Sequence, residues 1–280
     1  MRPRTDTLVR AAVLAAAALA VVPVVIEAIY VSPTAVFMDE RTPNAQVTVG
    51  NAGDSPEEAT IELQFGFPDA DSSGTPYIRF IDDPGPDFPS AAAWVRAFPQ
   101  RVRLEPRSQQ VVRLLARPPA DLPDGEYWTR LIVTGRGASL RMASPDSAVR
   151  ATVDVQIRLV ASVTFRKGHV STGIAIDGLR AEAEGDSLTV WARMARRGNA
   201  AYHGTADVEV VDPRGTVVRN WSAMLSVYFP VIRRFSFPLD SLPPGDYRVR
   251  YRLRAERPDL PQDRVLPAPT VADSVAIRVM

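Results

Sequence analysis

The sequence has no cysteine, one lysine and two histidines among 280 residues. The missing cysteine excludes disulfides, thiolate metal sites and thiol catalysis. It leaves the redox compartment open, because an oxidising space permits disulfides without requiring them. With Lys167 alone, arginine supplies the other 32 of the 33 basic residues. They are interspersed with 32 acidic residues for a net charge of +1, so there is no basic stripe that would neutralise a nucleic-acid backbone. His169 and His203 stand in no catalytic or metal-ligand spacing and read as surface or strand residues. No Ser-His-Asp arrangement stands out. Asp82 and Asp83 read as solvated loop acids rather than a general acid–base pair. Asp69 and Asp71 in "PDADSSG" are closely spaced oxygen donors, but they lack the further ligands of a calcium loop and read as an acidic turn. The expectation is a protein that is not an enzyme, with no cofactor, no metal and no evident small-molecule substrate.

Long helical patterns are missing too. Twenty-five prolines are scattered through the chain, which suits short strands joined by turns and penalises helices. The exception is the beginning. "MRPRTDTLVR" carries Arg2, Arg4 and Arg10, and "AAVLAAAALAVVPVVI" follows. A basic segment ahead of an apolar one is the order of a secretory signal peptide. We read residues 1–28 as that leader, with cleavage after Ala28. The apolar stretch is short for a span of about 20 residues and contains Pro23, which favours export over an uncleaved signal anchor. Without the leader the chain keeps 30 basic and 30 acidic residues.

What the chain does have is period-two alternation. In "EATIELQFGF", Ala59, Ile61, Leu63, Phe65 and Phe67 share one face. In "AQVTVGN", Ala45, Val47 and Val49 do so, and in "SLTVWARM", Leu188, Val190, Ala192 and Met194. Such runs, separated by "NAGDSP", "EGD", "RRGN" and "DPRG", indicate half-buried strands packed in layers. "LPDGEYWTRLIV" and "LPPGDYRVRYRL" repeat Leu-Pro-x-Gly-acid-Tyr, with Tyr127 and Tyr247 at a domain-length spacing. The repeat resembles the tyrosine corner that enters strand F of an immunoglobulin-like sandwich, where the hydroxyl finds a backbone acceptor. The fold class expected is all-β, with two immunoglobulin-like β-sandwich domains in series over residues 30–166 and 167–280. Residues 68–90, with five prolines and five aspartates, read as an irregular insert that could serve as a flap over a binding edge.

The segment "VRATVDVQIRLVASVTF" carries the most information about function. Every odd position from Val149 to Phe165 is apolar, and every even one except Val160 is polar. Seventeen residues at about 3.3 Å each span roughly 56 Å, more than one small sandwich covers. A long strand with an unbroken apolar face is an aggregation liability unless another chain uses it. An added chain would pair by main-chain hydrogen bonds and receive alternate side chains. Burying Val153, Val155, Ile157 and Leu159 at about 1.5–3 kcal/mol each gives roughly 6–12 kcal/mol before ordering costs. The other reading is a plain G strand whose odd face belongs to its own core. That reading suits the C-terminal half, and for the N-terminal half both remain open.

The order of features resembles the periplasmic pilus-assembly chaperones of the chaperone–usher type. The matching pieces are the leader, "VSPTAVFMDE", "AQVTVGNAG", "RVRLEPRSQQVVRLL", "LPDGEYWTRLIV" and then the alternating strand. The resemblance covers most of the first domain. It implies two immunoglobulin-like domains set at an angle and no catalysis. It also implies a periplasmic location, pilus-like subunits as partners and an outer-membrane usher as the receiving protein. Val153, Val155, Ile157 and Leu159 would be the donated side chains. Such chaperones anchor the subunit's terminal carboxylate with two basic residues, yet the corresponding places here hold Thr34 or Ala35 and Thr164. Arg166 and Lys167 are the nearby candidates for a carboxylate anchor, with Arg79 a further one. The alternative function is a structural or adhesive two-domain envelope protein without chaperone activity.

Overall fold

The computed structural model describes residues 29–143 and 150–280, and the side chains of 29–135 and 156–280. The leader 1–28 lies outside the described residues. The alternating segments are all strands, and among the described residues the one helical element is a single 3-10 turn at Gln262–Arg264.

The first unit is a sandwich of two sheets. One contains β1 (Ile29–Ser32), β3 (Asn44–Asn51), β8 (Gln109–Ala116) and β6 (Val95–Phe98), in the order β1-β3-β8-β6. The other contains β2 (Ala35–Asp39), β10 (Arg150–Lys167), β9 (Gly125–Ala143), β4 (Glu57–Ala70) and β5 (Pro76–Ile81), in that order, with β7 (Arg101–Leu104) also on β4. The chain therefore changes sheets between β1 and β2, within a few residues. Val47, Val49, Ala59, Ile61, Val112, Leu131, Val133, Ala161, Val163 and Phe165 fill the space between the sheets. Along each strand these residues share one face, as the alternation requires.

The second unit is also a sandwich. Its sheets are β11 (Thr172–Glu184), β12 (Ser187–Gly198) and β15 (Val231–Pro238), and β14 (Val217–Val227), β13 (Tyr202–Val211), β16 (Gly245–Arg254) and β17 (Val271–Val279), each in that order. Leu188, Val190, Ala192 and Met194 all face its core with no exposure. Both Leu-Pro-x-Gly motifs enter the predicted strands, β9 and β16. Tyr127 Oη donates to Pro123 O at 2.8 Å and Tyr247 Oη to Pro243 O at 2.9 Å. Each hydroxyl thus finds its backbone acceptor four residues upstream, as a tyrosine corner requires.

The insert is more ordered than the sequence suggests. β4 runs on to Ala70 and turns back into β5, with Phe65↔Ile81 through Ala70↔Pro76 in register. The tip of this hairpin reaches the second unit, where Arg234 N donates to Gly74 O at 2.9 Å. Gly74 has φ +86°, and a Cβ there would lie 2.8 Å from Arg234 Cβ and N, so the contact depends on glycine. Asp71 Oδ1 accepts from Ser73 N, Ser73 Oγ and Thr75 N, while Asp69 Oδ2 accepts from Arg79. The two acids of "PDADSSG" therefore close a turn and pair with an arginine.

Candidate functional site: an open strand edge beside a buried polar junction

β10 pairs with β9 along its whole length, from Arg150↔Ala143 to Lys167↔Gly125, with a bulge between Asp154 and Gln156. Its other edge is covered over a much shorter stretch. β2 pairs with it in parallel from Ser162↔Ala35 to Arg166↔Asp39, and Ser162 N donates to Thr34 O at 2.8 Å. Because backbone groups alternate sides along a strand, the N–H and C=O of Val160, Arg158 and Gln156 point the same way as those of Ser162. Among the described residues no backbone group pairs with them. β4 in turn accompanies β9 only to Gly135, so the distal part of β9 and β10 extends beyond the sheet as a two-stranded arm. This is where the strand's excess length goes.

The apolar face of β10 changes character along the strand. Ala161, Val163 and Phe165 are buried in the first unit's own core, as expected for the C-terminal half. Leu159 is partly buried against that core, and Ile157 is half-buried outside it. The backbones of Val153 and Val155 lie in the arm, and their side chains lie outside the described residues. On the opposite face, Val160 is exposed, and Arg158 stacks over Phe80 at 4.8 Å and donates to Gln64 Oε1 at 3.1 Å.

The base of the strand meets the second unit. Glu126 is 1% exposed, and its carboxylate accepts from Trp128 Nε1 (2.6 Å), Arg166 Nε (2.9 Å) and Ala201 N (3.1 Å). Arg166 also stacks over Phe37 at 5.2 Å. Arg130 donates through Nε to Gly66 O at 2.9 Å and lies over Tyr228. His203, from the second unit, packs edge-on against both Phe37 and Tyr228, with its Nδ1 2.8 Å from Ser226 Oγ. Burial, with smaller contributions from Arg257, Arg166 and Arg130 against Glu126, pulls its pKa down to about 4. Three nitrogens at this junction, Arg130 Nη2, Arg166 Nη2 and His203 Nε2, are buried without a hydrogen-bond partner. The two guanidinium nitrogens are donors, and the role of His203 Nε2 depends on its tautomer.

Among the carboxylate-anchor candidates, Arg166 is thus engaged by Glu126 through Nε and retains one unpartnered nitrogen. Lys167 Nζ donates to Ala120 O at 3.0 Å from an exposed position. Arg79 is held in the insert hairpin by Asp69. Thr164 is buried. An aromatic cluster seals the junction: Phe67 and Phe229 rings lie 4.6 Å apart, and those of Trp128 and Tyr228 4.7 Å. Sequence reasoning missed this cluster. The available signal was a pair of consecutive aromatics, Tyr127-Trp128 and again Tyr228-Phe229. Tyr127 and Trp128 are successive on β9 and face opposite ways, so one of them demands a second buried surface, and Tyr228 and Phe229, just past the end of β14, supply it.

Fold and site together define a two-sandwich protein with one long strand left half-open at its edge. Among solved structures the chain is similar to the chaperone–tip adhesion subunit pre-assembly complex CsuC–CsuE of the archaic chaperone–usher Csu pili of Acinetobacter baumannii. The identity is 12% and the TM-score 0.42, covering 74% of this chain and 89% of that one. It is similar to the CupB2 chaperone of Pseudomonas aeruginosa (16% identity, TM-score 0.40, 89% and 100% covered). It is also similar to the SafA pilin–SafB chaperone complex of Salmonella enterica (15% identity, TM-score 0.39, 81% and 90% covered). No protein-family model matches the chain, and no curated protein matches it in sequence.

Proposed function

We propose that the protein is a periplasmic chaperone that holds pilus-type subunits by lending them the open edge of β10. The carrying observation is the edge itself: β2 covers residues 162–166, and the strand continues towards Arg150 with no other strand of the described residues on that side. An incoming subunit strand would pair with Gln156, Arg158 and Val160 and receive Val153, Val155, Ile157 and Leu159. The apolar face that leaves the chaperone's own core near Leu159 would pass into the core of its guest. Arg166 is the proposed receiver of the guest's terminal carboxylate, with Lys167 beside it. An outer-membrane usher would take delivery. No step in this cycle makes or breaks a covalent bond.

The test is co-purification from the periplasm with small exported β-rich subunits. Ile157→Asp should abolish recovery while leaving the fold intact, because Ile157 lies outside the chaperone's own buried cluster. Recovery undiminished by Ile157→Asp would remove the donor-strand reading and leave the spacer or adhesive role.

A further inference from the structure

A second surface, remote from β10, has the makings of a binding site. On the outer face of the sheet β11-β12-β15, Trp191 stands directly between Arg180 and Arg234 on the neighbouring strands. One step along, Arg193 stands opposite Ile232, which is 40% exposed. The tip of the β4–β5 hairpin walls one side with Ser73, and a groove of about 600 Å³ lies between. Arg180 lies flat over the Trp191 ring at 3.9 Å and meets Glu182 at 3.1 Å. Arg193 and Arg234 make no ion pair with any described residue. Asp71, in the hairpin, turns its carboxylate to the amides and hydroxyl of its own turn. The groove therefore carries two guanidinium groups without an ion-pair partner among the described residues, beside an apolar floor, and the hairpin of the first unit forms one of its walls.

We propose that this groove docks an extended, acidic segment of a partner protein. Arg193 and Arg234 are diagonal neighbours on adjacent strands, about 7–8 Å apart at their Cβ atoms. Alternate side chains of an extended chain repeat at about 6.6–6.8 Å. An acid-x-acid sequence thus places one carboxylate at each guanidinium, and apolar groups between them meet Ile232 and the edge of Trp191. Planar guanidinium and carboxylate pair in a two-pronged geometry, which gives the site direction as well as charge. The site shares no residue with the open edge of β10, so either can fail without the other.

The experiment titrates the full chain with the blocked peptide Glu-Val-Glu-Val-Glu and, separately, with Gln-Val-Gln-Val-Gln. Calorimetry and the Trp191 indole N–H resonance report binding. The glutamate peptide should bind, weaken as salt rises, shift the indole signal, and exceed the glutamine peptide by about tenfold or more. The doubly reversed variant Arg193→Glu with Arg234→Glu should lose the binding. Arg193→Gln with Arg234→Gln serves if the reversal disturbs the fold. Equal binding of both peptides, or binding that survives neutralisation, overturns the proposal. Tighter binding of an oligogalacturonate than of the glutamate peptide overturns it as well and assigns the groove to acidic glycans.

Discussion

Proline at Val160 and proline at Ala161 should have opposite consequences, although the two positions are adjacent. Val160 N–H points to the open edge of β10, and its side chain is exposed. Proline removes an edge donor there without touching the β9 ladder, in the setting where sheets tolerate it. Ala161 is 1% exposed, and its N–H faces β9 opposite Leu131. Proline there leaves a buried carbonyl unpaired, costing about 1–3 kcal/mol before any steric cost. Val160→Pro should therefore unfold in urea within about 1 kcal/mol of the parent. Its effect on a guest strand should be large, since it deletes one main-chain bond worth about 0.5–1.5 kcal/mol and also obstructs close approach of the neighbouring backbone. The assay pairs urea unfolding with co-purification of subunit. A Val160→Pro protein that is stable and still recovers subunit normally would refute the edge-pairing argument. So would a Val160→Pro protein as damaged as Ala161→Pro, because the N–H would then be holding the fold.

Phe165→Ala, at the buried end of the same apolar face, should destabilise the first unit by about 3–5 kcal/mol, whereas Ile157→Asp should not lower stability measurably in chemical denaturation. Acid should weaken the domain junction through His203. Its folded pKa of about 4 lies below the unfolded value of about 6.5. The unfolded chain therefore binds the extra proton, and stability falls as pH drops through that window, by on the order of 3 kcal/mol when complete. Urea titrations at pH 7 and pH 4.5 should show the loss, and His203→Phe should flatten it. Tyr127→Phe and Tyr247→Phe should each cost about 0.5–1.5 kcal/mol. Lying in different sandwiches, the two should add in the double variant.

Much of the architecture was legible because each strand alternates cleanly. Leu188 to Met194 and Val47 to Val49 occupy the core faces their period assigns, and the two tyrosines bond where their motif places them. The over-long alternation likewise translates into one strand over residues 150–165, and its C-terminal half into core. Three features were not legible, each for a physical reason. Residues 68–90 looked irregular because prolines and aspartates obscure the short pairing of β4 with β5, and a hairpin docked by one glycine leaves no periodic trace. The polar junction is assembled from Glu126, Arg130, Arg166 and His203, two strands of one unit and one of the other. No local spacing announces such a meeting. Arg166 was named with Lys167 as a nearby candidate for a carboxylate anchor, and its bond through Nε to Glu126 was not legible. The partner, Glu126, is 40 residues away in sequence and adjacent only through the β9–β10 pairing.

Amide hydrogen exchange at Gln156, Arg158 and Val160, with Ala161 and Val163 as internal references, tests the central claim most directly. In the free protein the first three should exchange rapidly while the references stay protected, and addition of a subunit should slow those three selectively. Protection of Gln156, Arg158 and Val160 equal to that of Val163 in the protein alone would mean the edge is already occupied, and would contradict the account.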